Sequence, residues 1–403
     1  MEELPQLITR IIIIIDFILA KLAIISVFSL KTETMKDGMI ISAEGLSFFF
    51  VGGAAVGVIL ARDTTHFYLI SAVSFAASWL LLAALLSIKE WDNRFPGNLW
   101  MVILPLLILS TGFFTGITGG GLSSPDSESY LELAAFSAAN RLRSLIDGIP
   151  FPSEGTSPLL KALLTGDRSS LSKEVVTVFR SSGASHLLAL SGLHIGIIYL
   201  IFRRLTYIIG NSPSAKVLRS MLIILFAGFF TIMVGASPSI VRAFLFILIS
   251  EVAALLHRKR DSLKVLCLAL IIQLSLSPGV ILSPGFQLSY AAMLGIFLIF
   301  PWLSSFYSGG SRFDPMHKIW DAAALSTSCQ ITTAPIAWHY FHTFPKYFLL
   351  TNLLAIPLTT GLIAVSLLTI CLYSFGICPA FLITLTDFLV SLLTWILSII
   401  GSM

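Results

Sequence analysis

Long uninterrupted apolar runs constrain the fold of this chain more than any other feature of its sequence. The runs 347–373 and 380–402, for example, are long enough to cross a hydrocarbon layer about 30 Å thick as helices that rise about 1.5 Å per residue. Hydrophobic residues make up 56% of the chain and charged residues only 11%, whereas soluble domains are about a quarter charged. The sequence therefore predicts an all-α, polytopic integral membrane protein.

The apolar runs predict about 10 to 12 transmembrane helices, since each run of spanning length accounts for one helix. The runs lie at 8–30, 46–61, 67–88, 99–118, 187–207, 217–235, 240–256, 263–276, 287–303, 320–338, 347–373 and 380–402. The run 8–30 is longer than the apolar part of a signal peptide, so it is expected to be a retained span. The runs 46–61 and 263–276 are short, which is typical of tilted or re-entrant segments.

Lys and Arg residues in the short loops predict how the spans are oriented. The loops 203–219 and 257–264 each contain four of these residues and are separated by two spans, so both can be cytoplasmic. The connections 236–239 and 277–286 contain none, as expected of external loops. Counting from these loops places both termini and the polar segment 119–186 outside.

The predicted organisation has three parts: N-terminal transmembrane helices at 1–118, an external helical segment at 119–186, and a transmembrane core at 187–403. Within the external segment, apolar periodicity predicts an amphipathic helix over 130–146 and two short helices at 158–165 and 171–180. The segment contains seven acidic and six basic residues, a net charge of 6 − 7 = −1. A surface that gathers nucleic acid non-specifically should be basic, so any DNA contact here is expected to be local.

Three blocks of sequence carry a family resemblance. The first reads LLTGDR from Leu163 and continues to SHLLALSGLH at 185–194, the second is GASPSIVRAFLF at 235–246, and the third is LSPGFQLSYAAMLGI at 282–296. In order and spacing these blocks resemble the membrane core of the ComEC competence family. The resemblance implies a multi-pass protein of the bacterial inner membrane that passes single-stranded DNA inward during natural transformation.

The chain departs from the family pattern in two places. The family typically carries a small OB-like domain and a metallo-β-lactamase-like domain, and neither is recognisable here. No H-x-H-x-D cluster is present, and the four cysteines form no C-x-x-C pair, so we expect no metal, no cofactor and no catalytic residue. The chain is then expected not to be an enzyme, and the family's nuclease role is expected to be absent, lost or supplied by a separate nuclease.

Other partners also follow from the resemblance. No Walker motif is present, so a cytoplasmic helicase-like motor is expected to supply the energy, and a periplasmic protein to deliver the DNA. The direct partners are single-stranded DNA and the lipid bilayer. The sequence predicts no oligomeric state.

His186, Ser191 and His194 are candidate pore residues where the external segment enters the span 187–207. Polar groups at membrane depth tend to face protein or water, which favours a polar pore lining. Two alternatives stay open: tight helix packing through Ser, Gly and His, and a Ser–His nucleophile–base pair of an intramembrane hydrolase. If the region is one helix, Ser191 and His194 share a face because they are three residues apart.

Arg242 is the candidate for contact with the DNA phosphates. It lies just inside the span 240–256 on the external side, against the positive-inside bias, so an anionic partner is expected. That partner is a phosphate, a helix C-terminus or, in a buried structural pair, a carboxylate. Ser237 and Ser239 flank Pro238 at a predicted helix start, whose free N–H groups suit a phosphate. The alternative is a side chain that reaches the membrane surface along its aliphatic stem.

Gln287 and Ser289 complete the candidate path. They follow the break at Ser283-Pro284-Gly285, and irregular backbone at membrane depth persists only inside protein or beside water. An ordinary external turn explains the break equally well. The helix interruptions at Pro238 and Pro284 also permit a transporter for a small metabolite, which is the main alternative function.

Overall fold

The protein is described by a computed structural model, which covers residues 43–60, 108–109, 111–112, 130–210, 212–258, 261–307, 314–342 and 345–402. Every regular element in these ranges is helical, which confirms the all-α prediction. The α-helices are α1 (Ala43–Leu60), α2 (Tyr130–Gly148), α3 (Thr156–Thr165), α4 (Lys173–Ser181), α5 (Ser185–Leu188), α6 (Gly192–Thr206), α7 (Pro213–Met233), α8 (Pro238–Leu255), α9 (Ser262–Leu276), α10 (Pro284–Leu298), α11 (Phe300–Ser304), α12 (Pro315–Phe341), α13 (Phe348–Ser374) and α14 (Ala380–Ser402). Short 3-10 helices, Tyr207–Ile209 and Pro278–Leu282, follow α6 and α9.

Five of the described helices are long and apolar enough to cross a membrane: α6 with its 3-10 extension, α7, α8, α13 and α14. The prediction of a polytopic membrane protein is thereby confirmed. α9 and α10 are apolar but have 15 residues each, and α12, which has 27, is more polar and is not one of the five. The predicted spans 8–30 and 67–88, and most of 99–118, lie outside the described residues.

Capping residues set the starts of the helices and shift the predicted boundaries. Ser212 accepts the Ala215 N–H across 3.2 Å, and Pro213 occupies the first turn, where its missing N–H would have had no helical partner. α7 therefore begins before the predicted run 217–235. Asp314 and Pro315 start α12 in the same way.

The chain divides into two compact units by its internal contacts. The first comprises Met1–Asp126 and Arg260–Ser283; among its described elements, α1 packs against α9 and against the 3-10 helix that follows it. The second comprises Ser127–Lys259 and Pro284–Met403, and it contains all eight candidate site residues. The segment from residue 127 onward shares the second unit with all of the later described α-helices except α9, and the three-part organisation stays a prediction.

The predicted amphipathic segment forms α2, α3 and α4, close to the predicted bounds of its three helices. Its apolar face packs against the hairpin of α13 and α14 instead of forming a separate domain. One core cluster combines Leu160, Leu163 and Phe179 of the segment with Leu362 and Leu393 of the hairpin, all at most 1% exposed. Which membrane face the segment occupies stays a prediction.

A second core cluster joins α6, α7 and α8 through side chains such as Ile195, Ile223 and Ile240. On the other side of the same unit, α10 and α12 approach closely at Gly295. A β-carbon at this position would lie 2.7 Å from Thr332 Oγ1 and still closer to the Ser328 carbonyl oxygen. Glycine is therefore required for the contact between these two helices.

Candidate functional site

The region around Ser191 is a helix start and not the interior of one long helix. The short helix α5 ends at Leu188, Ala189 is extended, and Ser191 (φ −116°, ψ 167°) caps α6. The prediction of one continuous span over 187–207 is wrong at this point. A serine competes for backbone N–H groups through its hydroxyl, and here that competition breaks the helix.

Ser191 and His194 form a reciprocal cap. The Ser191 hydroxyl accepts the Leu193 N–H across 3.3 Å, while His194 Nδ1 accepts the Ser191 N–H across 3.1 Å. The hydroxyl also lies 3.0 Å from Nδ1. This is the capping-box arrangement, with histidine in the place usually taken by Glu or Gln.

The cap explains the short Ser–His distance without nucleophilic catalysis. His194 Nδ1 already accepts a backbone N–H, and the Ser191 oxygen already accepts the Leu193 N–H. A general base needs a nitrogen that is free to take the hydroxyl proton from an oxygen poised for attack. Here both groups are used to begin α6.

The second nitrogen of His194 is a buried donor. Because Nδ1 accepts a hydrogen bond, a neutral ring carries its proton on Nε2. His194 is 1% exposed, and Nε2 has no hydrogen-bond partner among the described residues. An unsatisfied buried N–H costs about 1–3 kcal/mol, so a ligand or water that accepts from it would recover that free energy.

His186 does not join this pair. It lies on α5, its side chain is exposed, and its Nδ1 is 3.3 Å from the Gly183 carbonyl oxygen. The interruption between α5 and α6 removes the helical spacing that would relate His186 to Ser191.

Arg242 is the residue at which the three sequence blocks meet. It lies in the second turn of α8, is 8% exposed, and donates from Nε to Ser289 Oγ of α10 across 2.6 Å. Its guanidinium carbon is 5.9 Å from the centre of the Tyr290 ring. A β-carbon at Gly192 would lie only 3.2 Å from a terminal guanidinium nitrogen, so the absence of a side chain in the S-G-L-H sequence leaves room for Arg242.

In the part of the chain that the structure describes, the charge of Arg242 is not balanced by a nearby acid. Among the described residues, no carboxylate oxygen lies within 4.0 Å of its guanidinium nitrogens. A buried charge without a counter-ion costs several kcal/mol, so this position favours an anion from outside the described chain.

The turn between α7 and α8 positions the residues that precede Arg242. Gly235 (φ 85°) and Ala236 (φ 44°) are both left-handed, which reverses the chain at the end of α7. Ser237 then starts α8 without a side-chain cap bond, and its buried hydroxyl has no hydrogen-bond partner among the described residues. Ser239 Oγ is 3.4 Å from the Gly285 carbonyl oxygen and so links the starts of α8 and α10.

Gln287 lies on α10, two residues before Ser289. The predicted break before this helix is present: Ser283 is extended, and Pro284 begins α10. At this site Arg242 contacts both Gly192 and Ser289, and the cap formed by Ser191 and His194 adjoins Gly192.

Sequence reasoning missed a buried polar network within the same bundle. Glu251, 5% exposed, accepts from the Tyr199 hydroxyl and from the Ser220 hydroxyl, each across 2.7 Å. Arg203 in turn donates to the Tyr199 oxygen across 2.9 Å. The signal was present in the sequence, since Glu251 is an acid inside the apolar run 240–256.

Among the described residues, no group of three or more His, Cys, Asp or Glu side chains is arranged to hold a metal ion. The polar groups at the site, an arginine, an imidazole N–H and hydroxyls, are hydrogen-bond donors toward an anion. They are suited to binding and guiding a negatively charged ligand.

Comparison with known proteins places this site within a family. A family model described as Competence protein matches residues 163–403, more than half of the chain. ComE operon protein 3 of Bacillus subtilis (strain 168) is 30% identical over 210 residues, which cover 52% of this chain and 25% of that protein. An uncharacterised protein of Aquifex aeolicus (strain VF5) is 29% identical over 195 residues, which cover 48% of this chain and 43% of that protein.

The matched region therefore spans less than half the length of either relative. No solved structure matches this chain. All eight candidate site residues lie within the part that the family model matches.

Proposed function

This chain belongs to the competence protein family, and from that premise we propose that its transmembrane bundle lines part of the path by which single-stranded DNA enters the cell during natural transformation. Family membership supports a role in competence and DNA uptake. The membrane is, on this proposal, the bacterial inner membrane.

The observation that carries the proposal is the environment of Arg242. Its guanidinium is buried between α6, α8 and α10 without a carboxylate partner among the described residues. A guanidinium suits phosphate because its planar donors match phosphate oxygens, and its charge persists at any physiological pH. The bond from Nε to Ser289 fixes the plane of the group, while one of its terminal nitrogens lies toward Gly192.

Two further buried groups of the same unit support the same ligand class. The Nε2 donor of His194 and the Ser237 hydroxyl are both buried without a partner among the described residues. Both can donate to a phosphate oxygen that replaces the missing partner. A path with sparse donors and one fixed charge lets a polyanion bind weakly enough to keep moving, as conduction requires.

We propose partners for the remaining steps, as the family resemblance implies. A separate nuclease acts on the DNA. A periplasmic DNA-delivery protein brings the DNA to the outer face, and a cytoplasmic helicase-like motor supplies the energy.

Gene deletion and complementation test the proposal in a naturally transformable host. The deletion strain should grow normally and lose transformation, and the native gene should restore it. A growth defect on one nutrient with normal transformation would favour the small-metabolite transporter. Labelling of the purified chain by an activated-serine probe, lost in Ser191→Ala, would favour the hydrolase.

A further inference from the structure

The chain from Gly148 to Leu188 contacts both ends of the α13–α14 hairpin. At the end that holds the connection 375–379, called here the turn end, the Tyr373 hydroxyl donates to the Gly148 carbonyl oxygen. At the other end, called the open end, the Thr351 hydroxyl donates to the Ser182 carbonyl oxygen across 2.6 Å. Thr351 and Tyr373 are 22 positions apart, which corresponds to about 33 Å along a helix.

That distance is about the thickness of the hydrocarbon layer of a membrane, roughly 30 Å. Both hairpin helices are long and apolar enough to span it. The turn end and the open end therefore lie near opposite membrane faces, and so do Gly148 and Ser182. A segment confined to one face could not make both contacts.

The two faces of the segment differ in polarity. Its apolar face belongs to the core cluster shared with α13 and α14. Its other face exposes charged side chains along the whole length, namely Glu154, Arg168, Lys173, Glu174 and Arg180. Charged groups at membrane depth avoid lipid and face protein or water, so this face is not expected to contact lipid.

We expect lipid to contact a different part of the hairpin. Large apolar side chains are exposed from the turn end upward, with Phe375 71%, Phe381 65% and Phe388 58% exposed. Between α4 and α14 lies an open groove of about 320 Å³. Its lining residues are Glu174, Val175 and Val178 on α4 and Ser391, Thr394, Trp395 and Ser398 on α14. The groove is mostly apolar, but polar residues on both sides allow water to enter it.

Asp387 holds the segment at the turn end. Its carboxylate is 8% exposed and accepts the Ser153 N–H across 3.1 Å, the Ser153 hydroxyl across 2.8 Å and the Thr156 hydroxyl across 2.5 Å. A carboxylate at the start of α3 is also favoured by the helix dipole. Among the described residues, no Lys or Arg lies within 4.0 Å of it, so these three bonds hold the charge in place.

We infer that residues 149–188 form a limb that crosses the membrane beside α13 and α14, with its charged face lining an aqueous path and Asp387 fixing its end. A crossing limb replaces the external placement that the sequence predicts for this segment. This inference does not depend on which molecule passes through the path, so it can be tested separately from DNA uptake.

Cysteine accessibility tests the limb. The four native cysteines are removed. Single-cysteine chains are then made with the half-buried Cys378 restored at the turn end, or with a cysteine at one of three exposed positions: Lys346→Cys at the open end, and Glu154→Cys or Ser185→Cys in the limb. A membrane-impermeant maleimide is added to right-side-out and to inverted vesicles. Glu154→Cys should react from the face that labels Cys378, and Ser185→Cys from the face that labels Lys346→Cys.

Two results would overturn the inference. If Glu154→Cys reacted only from the face that labels Lys346→Cys, the segment would lie outside the membrane. If it reacted from neither face, water would not reach this position, and the aqueous path would be ruled out there. Asp387→Asn, added to the Glu154→Cys chain, should raise its rate of labelling about tenfold because the carboxylate bonds are weakened. Thr384→Ala, an exposed position on the same helix, is the matched control and should leave the labelling rate unchanged. Equal labelling rates in the Asp387→Asn and Thr384→Ala chains would show that Asp387 does not position the limb.

Discussion

Arg242 of α8 donates a hydrogen bond to Ser289 of α10 across 2.6 Å, although 47 residues separate them along the chain. The bond ties together two of the three sequence blocks that carry the family resemblance, and Gly192 from the first block lies against the same guanidinium. The three blocks therefore meet around one positive charge. A phosphate-binding role for that charge leads to specific expectations for single substitutions.

Arg242→Gln should leave the protein in the membrane in normal amounts but lower transformation roughly 10- to 100-fold. A hydrogen bond to a charged group contributes about 1.5–3 kcal/mol, and about 1.4 kcal/mol corresponds to a tenfold change. Arg242→Lys should be intermediate, since it keeps the charge without the planar donors. The measurement is transformation frequency at equal membrane abundance.

Lys216→Gln is the control for loss of charge, because Lys216 is exposed at the opposite end of α7 from the Arg242 site. It should transform normally. Normal transformation in Arg242→Gln cells would remove this residue from the DNA path. Loss of the protein from the membrane in Arg242→Gln cells would instead indicate a structural role.

Gly192→Ala should lower transformation about tenfold, because the new methyl group would lie 3.2 Å from a terminal nitrogen of Arg242 and displace it by a few tenths of an ångström. Gly196→Ala, one turn further along α6, is the matched control, since no atom lies within 4 Å of its β-carbon position. Both substitutions replace glycine by a better helix former. Equal transformation in the two variants would contradict the placement of Arg242 against Gly192.

Ser191→Ala should destabilise the start of α6 by about 1 kcal/mol, whereas Ser191→Thr should retain the cap and near-normal transformation. Thermal unfolding of the purified protein in detergent measures the first effect. Normal function in Ser191→Thr separates a capping serine from a nucleophile, which would lose activity when its geometry changes. A Thr variant that is stable but inactive would revive the catalytic alternative.

Glu251→Ala should destabilise the bundle strongly, and Glu251→Gln only slightly. Alanine leaves the Tyr199 and Ser220 hydroxyls without their buried acceptor, at about 1–3 kcal/mol each. Glutamine keeps one acceptor oxygen, and its amide can donate to a hydroxyl that rotates. Thermal unfolding in detergent distinguishes the two Glu251 variants, and Glu174→Ala, at an exposed position, is the control. Equal destabilisation by Glu251→Ala and Glu251→Gln would show that the negative charge itself is required.

The sequence predicted the helices better than their contacts. The run 347–373 became α13 within one residue at each end, because spanning length and polarity are local properties. The break before α6 was missed, since a serine in an apolar run indicates a cap only once its hydroxyl has a backbone partner. The Arg242–Ser289 and Asp387–Ser153 bonds could not be predicted, because they depend on which helices become neighbours.

The link from Arg203 through Tyr199 to Glu251 has a consequence for the synthesis of the protein. The two residues are 48 positions apart, so a ribosome working at about 5–20 residues per second makes Arg203 roughly 2 to 10 s before Glu251. During that interval Glu251 is not yet available to Tyr199, and the charge of Arg203 can orient the end of α6 toward the cytoplasmic side that the positive-inside rule predicts for it. Once α8 has been synthesised, Tyr199 can bond to Glu251, and Arg203 is then linked to α8 through the Tyr199 hydroxyl. The order of synthesis thus lets Arg203 act first on the orientation of α6 and afterwards on its packing against α8.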